Sequence, residues 1–337
     1  MKPHYPLETI PEAGSYTEVA DGIFWLRLPL PFELNHINVW LLDDGDGWTL
    51  IDTGASMPAT IEAWEHLYAT VLGSRPVRRV IVTHHHPDHF GLAHWHCQRF
   101  EIDTYGTAPT IKRASRLLKH ADEQRFESSR ALFQANGAAD PEKIARFISG
   151  FTYRRIVSGL PERIHLIAPG TELEIGRHRW RTIHSYGHAE GHLSLYCEAL
   201  GLLISGDQVL PTITSNISLF EDDPELDPLQ QYLDSMTEFR NLPDTTLVLP
   251  SHGKVFEGLH ARIAAIEAAH RERSDKVLGL CHEPSSVNDV AARLFPKQLD
   301  DMNWCLAFGE TFSHLRYLER HGRLHLMKQG GTLLYHK

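Results

Sequence analysis

The chain has 337 residues, of which 42% are apolar and 23% are charged, as in an ordinary globular protein. Its formal net charge of −10 argues against a surface that coats a polyanion, although a local basic patch is still compatible with it. The start lacks the apolar core of a signal peptide, and no stretch is long and apolar enough to span a bilayer. The four cysteines have no metal-cluster spacing. We therefore expect a cytoplasmic protein with no membrane partner.

The first elements are an irregular arm followed by strands. Residues 1–20 are rich in proline and predict an N-terminal surface arm without regular structure. Three apolar strands are then expected, with a hairpin turn of aspartates and glycines before the last, at 23–28, 37–42 and 48–51. The third strand ends in Asp52, and a helix with an apolar face at Ile61, Trp64 and Leu67 is predicted after Pro58.

A cluster of histidines and an aspartate follows the next apolar strand. Pro87 prevents the strand from continuing, and Asp88 is predicted to cap a helix that begins near His89 and continues to residue 100. In an extended turn His84 and His86 point to one side, whereas Asp88 and His89 come after the bend and can face a second point. Imidazole nitrogens and carboxylates are good ligands for zinc and iron, so the turn predicts a metal site.

The order His-x-His-x-Asp-His resembles the signature of the metallo-β-lactamase-fold hydrolases. This resemblance implies an α/β fold, an αββα sandwich over residues 21–260, with metal ligands along one edge of the sheets. Four other turns also resemble family turns: Asp52-Thr53-Gly54, Gly187-His188-Ala189-Glu190-Gly191-His192, Gly206-Asp207 and Pro250-Ser251-His252-Gly253. The stretch after Asp207, including Asn216, is expected to run past the site without an assigned role.

The resemblance implies a complete set of ligands for two divalent cations. One cation would bind His84, His86 and His188; the other would bind Asp88, His89 and His252; Asp207 would lie between them. Asp52 is expected beneath the loop that carries residues 84–89 (the metal loop), where it would support a ligand histidine. The residue alone could equally be a helix cap. His192 is expected to support the ligands from outside. Zinc is the expected metal, with iron and manganese as alternatives, and histidine at 86 favours a hydrolytic zinc site over the diiron oxygen-reducing branch.

Residues 108–162 predict helices and no strand, which indicates a helical cap inserted into the β-rich order. The cap mixes aromatic with basic residues, so it predicts either solvated amphipathic helices or a patch for an anionic group: Phe126, Phe133, Phe147, Phe151 and Tyr153; Lys112, Arg113, Arg116, Arg125, Arg154 and Arg155. Strands resume afterwards, at 164–167, 172–175, 180–184, 201–205 and 246–249, with a helix at 226–242.

The tail at 261–337 has a different pattern from the rest. Three helices, starting at 259, 287 and 305, and a hairpin with a Gly-Gly turn resemble a winged-helix module, as in the endoribonuclease-like branch of the superfamily. Since acidic and basic residues are intermixed, we expect packing or a homodimer contact, with nucleic-acid binding less favoured but open.

The implied reaction is hydrolysis by a metal-bridged hydroxide, with Asp88 and Asp207 as catalytic residues. A small-molecule substrate is expected: a thioester, lactone or other carboxylic ester, as in the glyoxalase-II-like, hydroxyacylglutathione-hydrolase-like branch. The alternatives are a metal-dependent phosphodiesterase or endoribonuclease and a mononuclear iron oxygenase of the persulfide type. A non-catalytic metal-binding regulator would require a broken ligand set, and none is broken.

Overall fold

Two β-sheets packed face to face between helices form the frame of the protein in the computed structural model. The structure describes residues 3–7, 9–31, 34–70, 72–73, 75–119, 123–148, 153–220, 223, 225–297 and 299–337, without the side chains at 123–125 and 146–148. The first sheet runs in chain order: β1 (Tyr16–Ala20), β2 (Ile23–Pro29), β3 (His36–Asp43), β4 (Trp48–Ile51), β5 (Val77–Ile81), β6 (Asp103–Thr107) and β7 (Ile164–Ile167). The second has the spatial order β12-β11-β10-β9-β8: β8 (Glu172–Ile175), β9 (His178–Ser185), β10 (His192–Cys197), β11 (Leu202–Gly206) and β12 (Leu247–Pro250).

Helices cover the outer faces of both sheets, and a two-stranded hairpin ends the chain. Up to the second sheet they are α1 (Pro58–Thr70), α2 (Pro87–Phe90), α3 (Ala93–Phe100), α4 (Ala108–Leu118), α5 (Glu123–Ala135), α6 (Pro141–Ile148) and α7 (Tyr153–Ile156). The later elements are α8 (Pro228–Arg240), α9 (Leu259–Leu280), α10 (Val287–Leu294), α11 (Asp301–Arg320), β13 (His325–Gln329) and β14 (Thr332–His336). No helix in the described part of the chain is both long and apolar enough to cross a bilayer.

Alternation of apolar residues along the strands produces the layers. In β2, Trp25 faces the core between the sheets, whereas Leu26 faces the core beneath α1 and α3. Apolar residues of the second sheet, such as Leu203, pack on their outer side against α8 and the first half of α9. Because neighbouring side chains on a strand point to opposite faces, sheets that are apolar on both faces need cover on both. The predicted αββα order is therefore present.

Four strands end at the same edge of the two sheets. In the first sheet β4 and β5 are parallel, with Ile51 opposite Ile81, and in the second β11 and β12 are parallel, with Ile204 opposite Leu249. Parallel strands deliver the residues that follow them to one edge, where loops carry chemistry on a rigid support. The residues predicted to bind metal follow these strand ends or lie in the β9–β10 turn.

Three details of the predicted elements are wrong. The arm at 1–20 is not irregular throughout, because Tyr16–Ala20 form β1 and pair antiparallel with β2. The helix predicted from His89 to residue 100 is broken at Gly91, where a Cβ atom would lie 2.7 Å from the Ala55 Cα atom. Asp88 does not cap α2, since His86 is at the N-cap position without a side-chain cap, and the Asp88 carboxylate faces His252 instead.

The helical cap and the C-terminal elements share one apolar core. Leu132 and Phe133 from α5 and Ile144 from α6 pack in the same cluster as residues of α9, α10, α11 and β14. The Phe133 ring lies 5.7 Å from that of Phe308 on α11, nearly perpendicular to it. The side chains of Arg125 and Phe147, and the whole of Phe151, lie outside the described residues. The cap is therefore packed against the tail, which the sequence did not predict; the domain boundaries and the winged-helix assignment stay predictions.

Candidate metal centre

Three histidines and one aspartate converge at the edge where the strands end. Nε2 of His84 lies 2.8 Å from Nδ1 of His86 and 3.2 Å from Nε2 of His188. Nε2 of His188 is in turn 3.4 Å from Oδ2 of Asp207. One potential ligand atom from each of the four residues lies within 4.8 Å of the others. These are the residues that the resemblance assigned to the first cation, together with the shared aspartate.

A second group lies on the other side of Asp207. Oδ2 of Asp88 is 3.5 Å from Nε2 of His89 and 3.4 Å from Nε2 of His252. Oδ1 of Asp207 is 3.5 Å from each of the same two histidine nitrogens. The two oxygens of Asp207 thus face different groups, Oδ2 the first and Oδ1 the second. The structure thus brings all seven predicted residues together in two groups, with Asp207 facing both.

The outer nitrogens of the histidines are held by groups from separate parts of the chain. Nδ1 of His188 lies 3.0 Å from the backbone carbonyl oxygen of Asn216, and Nδ1 of His252 lies 2.9 Å from that of His36. Since a carbonyl oxygen only accepts, the N–H of each ring must be on Nδ1, which leaves Nε2 with a free lone pair toward the centre. Sequence reasoning missed both carbonyl partners, because a backbone oxygen has no signature in the residue type.

Asp52 supports the second group from below. It is 2% exposed, and its Oδ2 accepts hydrogen bonds from Nδ1 of His89 and from Oγ1 of Thr83, both at 2.8 Å. Its Oδ1 accepts from the backbone N–H of Thr83 at 2.8 Å. The residue has φ +64, in the left-handed region that residues other than glycine rarely adopt. Asp52 therefore lies beneath the metal loop. It is not the cap of a helix, because α1 begins only at Pro58.

His192 holds the main chain of the shared aspartate. Its Nε2 accepts the backbone N–H of Asp207 at 3.1 Å, and its Nδ1 lies 3.2 Å from Oγ of Ser185. His192 is fully buried, and burial together with neighbouring His188 keeps its pKa well below the usual value. It is thus a neutral ring that contacts the main chain of Asp207 and does not belong to either group.

Burial and the neighbouring charges shift the pKa values of the two groups of histidines in opposite directions. Burial lowers the pKa of His84 well below its usual value and, with the charge of His188, lowers that of His86 to about 3. Burial alone would raise the pKa of Asp207, but His89 and His252 outweigh it and hold that pKa well below its usual range. Burial would likewise lower the pKa of His89, yet the carboxylates of Asp207, Asp88 and Asp52 raise it.

The residues fit divalent cations. Nε2 of His89 and Oδ1 of Asp207 are buried and have no hydrogen-bond partner among the described residues. Buried polar atoms without partners are unfavourable by about 1–3 kcal/mol each, and crowded lone pairs repel one another. Cations between these atoms would satisfy them, and a set of imidazole and carboxylate donors without thiolates suits zinc, iron or manganese.

The rim of the site includes residues of the cap. The hydroxyl of Tyr153 donates a hydrogen bond to the backbone carbonyl oxygen of His85 at 2.7 Å. Burial, and then the charges of His86 and Arg113, keep the pKa of His85 well below its usual value. Burial raises the pKa of Tyr153, which the positive charge of Arg113 opposes. The charge of Arg113, a basic cap residue on α4, thus reaches both Tyr153 and His85 of the metal loop.

A model of the metallo-beta-lactamase superfamily matches residues 33–252, a span that encloses all seven clustered residues. The chain belongs to this superfamily. A second model, described as a metallo-beta-lactamase-like C-terminal domain, matches residues 274–337. The superfamily membership agrees with the αββα order, and an additional C-terminal domain is present after the sandwich.

The superfamily members that resemble this chain include named hydrolases. The probable metallo-hydrolase YqjP of Bacillus subtilis is 28% identical over 94% of this chain and 98% of its own length. Hydroxyacylglutathione hydrolase of Rhodobacter capsulatus is 30% identical over 50% of this chain and 61% of its own length. Human acyl-coenzyme A thioesterase MBLAC2 is 21% identical over 81% of this chain and 90% of its own length. A crystal structure of a beta-lactamase domain protein from Burkholderia ambifaria has a TM-score of 0.90 and 36% identity, covering 99% of this chain and 98% of that one.

Proposed function

We propose that this protein is a hydrolase with two divalent cations, expected to be zinc, that cleaves a thioester or other carboxylic ester of a small metabolite. The observation that carries the proposal is the Asp207 carboxylate, which presents Oδ2 to His188 and Oδ1 to His89 and His252. One carboxylate between two sets of imidazoles is the arrangement that two-metal hydrolysis uses. The clustered residues are proposed as the metal ligands on the same ground.

Asp207 and Asp88 would have different roles in the reaction. When bound, the cations would supply a water of lowered pKa and polarise the carbonyl oxygen of the substrate. Asp207, with a side chain that is 9% exposed, fixes the separation of the two ligand groups. Asp88 is 22% exposed and therefore more open to an incoming substrate, so it is placed to accept the proton of the attacking water and return it to the leaving group.

The choice of a thioester rests on the relatives and on the rim. Two of the similar proteins are named for acyl-coenzyme A and hydroxyacylglutathione, whose acyl groups are thioesters on anionic carriers. The positive charge of Arg113 on α4 reaches His85 of the metal loop and Tyr153 of the cap. The guanidinium of Arg113 would attract the anionic carrier of the thioester. The acyl group of the substrate would then lie at the metal centre.

Replacing Arg113 with Ala is expected to raise KM for an acyl-coenzyme A or acylglutathione about tenfold, with little change in kcat. The reason is that one charge–charge interaction near a protein surface is lost, and a tenfold change corresponds to about 1.4 kcal/mol. The measurement is steady-state kinetics with these anionic thioesters and with a neutral N-acetylcysteamine thioester, whose KM should not change.

The matched control is Arg116→Ala, which removes an exposed arginine one turn further along the same helix. An equal rise in KM for both variants would mean a general charge effect and not a binding site. An unchanged KM in Arg113→Ala would remove Arg113 from the substrate site.

The test of the proposed function itself combines metal content with a substrate panel. We expect about two zinc ions per chain by mass spectrometry, and turnover of a thioester or lactone on the same sample. Turnover confined to a phosphodiester or a short RNA would replace the proposal with a nuclease. One iron per chain with oxygen uptake on a persulfide and no hydrolysis would replace it with an oxygenase.

A further inference from the structure

The loop after Asp207 crosses helix α11 of the C-terminal part of the chain. The backbone N–H of Leu219 donates to the carbonyl oxygen of Gly309 at 3.0 Å. A Cβ atom at position 309 would lie 2.5 Å from Cε1 of Phe220 and 2.8 Å from Cβ of Ser218. Only a residue without a side chain lets the loop lie so close to the helix. The helix therefore carries a glycine where the loop crosses it.

Asn216, in the same loop, contacts both the metal centre and α11. Its backbone carbonyl oxygen accepts the hydrogen bond from Nδ1 of His188 at 3.0 Å. Its side-chain Nδ2 donates to Oε2 of Glu310 at 3.4 Å, and its Oδ1 accepts from Oγ of Ser218 at 2.5 Å. Both ends of the Asn216 side chain are thus held, and the peptide that contacts His188 is held with them.

Glu310 is the fixed end of this connection. It is 9% exposed, follows Gly309 on α11, and forms an ion pair through Oε1 with the guanidinium of Arg273 on α9. Burial raises the pKa of the Glu310 carboxyl, an effect that the Arg273 charge opposes. A buried carboxylate with an arginine on one oxygen has the other oxygen held in one place. Two helices of the C-terminal part thereby set where the side-chain amide of Asn216 lies.

We propose that Glu310 is a positioning residue for the metal centre, acting through Asn216 to hold His188 in the orientation that binds a cation. The inference rests on the proposed function, because it assigns the role of a ligand to His188. Partners that hold the outer nitrogen of a histidine ligand commonly affect metal affinity by about 10–100-fold. Since Asn216 contacts only His188 of the seven clustered residues in the described hydrogen bonds, its effect should fall on the cation bound by His84, His86 and His188.

The test is a zinc titration of the full-length protein against a competing chelator, which gives a dissociation constant for each site. The His188→Ala variant identifies the constant that belongs to the first site. Asn216→Asp places a carboxylate against Glu310, and repulsion should displace the peptide, so we expect that constant to weaken about tenfold. The constant of the second site should stay within about twofold of the wild-type value.

A double variant that exchanges the amide of residue 216 and the carboxylate of residue 310 distinguishes a positioning role from a loss of folding. Adding Glu310→Gln to Asn216→Asp returns one amide and one carboxylate to the pair in the opposite order, so most of the lost affinity should be recovered. Ser313→Ala is the matched control on the same helix, since this buried hydroxyl has no hydrogen-bond partner among the described residues. It should change neither constant.

The outcomes distinguish the two proposals. If the wild-type protein binds no zinc tightly, the proposed function is wrong. If it binds two zinc ions and Asn216→Asp leaves both constants unchanged, only the role of Glu310 and Asn216 is wrong. Equal weakening of both sites, or no recovery in the exchanged variant, would indicate general damage to the fold and would also contradict the positioning role.

Discussion

Replacing Asp207 with Asn is expected to lower kcat/KM by about a thousandfold or more, equivalent to about 4 kcal/mol of transition-state stabilisation. Asn keeps the shape of the side chain but removes the negative charge and one of the two oxygens. Because these oxygens face different groups of histidines, one cation would lose its oxygen ligand, and the charge that offsets the repulsion between the two cations would be gone. We therefore expect fewer than two metal ions per chain.

The measurement for Asp207→Asn is metal content by mass spectrometry alongside thioester turnover and far-ultraviolet circular dichroism. The dichroism spectrum should remain that of the wild type, since β11 and β12 do not depend on the carboxylate. Asp234→Asn, which changes an exposed carboxylate on α8 that bonds to Gln230, is the control and should be fully active. Two bound metals with full turnover in Asp207→Asn would refute the assigned centre.

Replacing Phe308 with Ala is expected to lower the free energy of unfolding by about 3–5 kcal/mol. Phe308 is fully buried on α11, within the core that the cap helices share with the C-terminal elements. Its ring contacts Phe133 of α5, so removal leaves a cavity between the two parts of the chain. This is the largest single loss of stability that we predict.

A double-mutant cycle tests whether the cap and the tail form one unit. Phe133→Ala and Phe308→Ala should be coupled by about 0.5–3 kcal/mol in urea unfolding, because each variant removes the partner of the other. Phe90→Ala, in the separate core beneath the first sheet, should instead add to Phe308→Ala without coupling. A coupling near zero between Phe133 and Phe308 would mean that the cap is held independently of the tail.

The shared core also changes how the C-terminal domain can be studied. Deleting residues after about 262 would uncover Leu132, Phe133 and Ile144, which pack against the deleted helices. Loss of solubility after such a deletion would therefore follow from the cap alone. Homodimer formation and nucleic-acid binding, both still predictions, are better tested in the full-length chain by substitutions on the exposed face of β13, including Leu326.

Much of the candidate site could be predicted from the sequence because its signals are local. His84, His86, Asp88 and His89 lie within six residues after a buried strand, and their spacing alone indicates two facing groups. His188, Asp207 and His252 are separated along the chain, and only the resemblance placed them with the others. The sandwich was predictable for a related reason, since alternation in strands such as β2 is a short-range pattern.

The remaining features depend on contacts between distant residues. The carbonyl oxygens of Asn216 and His36 hold ligand histidines, but every residue has such an oxygen and the sequence does not distinguish these two. The packing of Phe133 on Phe308 joins residues 175 positions apart, for which apolar periodicity gives no partner. The break at Gly91 likewise depends on how closely the metal loop approaches Ala55.

The left-handed backbone of Asp52 bears on how this position would change under selection for stability. A left-handed conformation at a residue other than glycine is unfavourable by about 1–3 kcal/mol, although aspartate and asparagine adopt it more readily than most residues. Only a carboxylate, however, accepts from both the His89 ring and the Thr83 hydroxyl on one oxygen while its other oxygen accepts the Thr83 backbone N–H. Replacing Asp52 with Gly would leave the buried His89 Nδ1–H and Thr83 N–H without acceptors, at about 1–3 kcal/mol each, so directed evolution for heat resistance is expected to keep the aspartate even without a screen for activity.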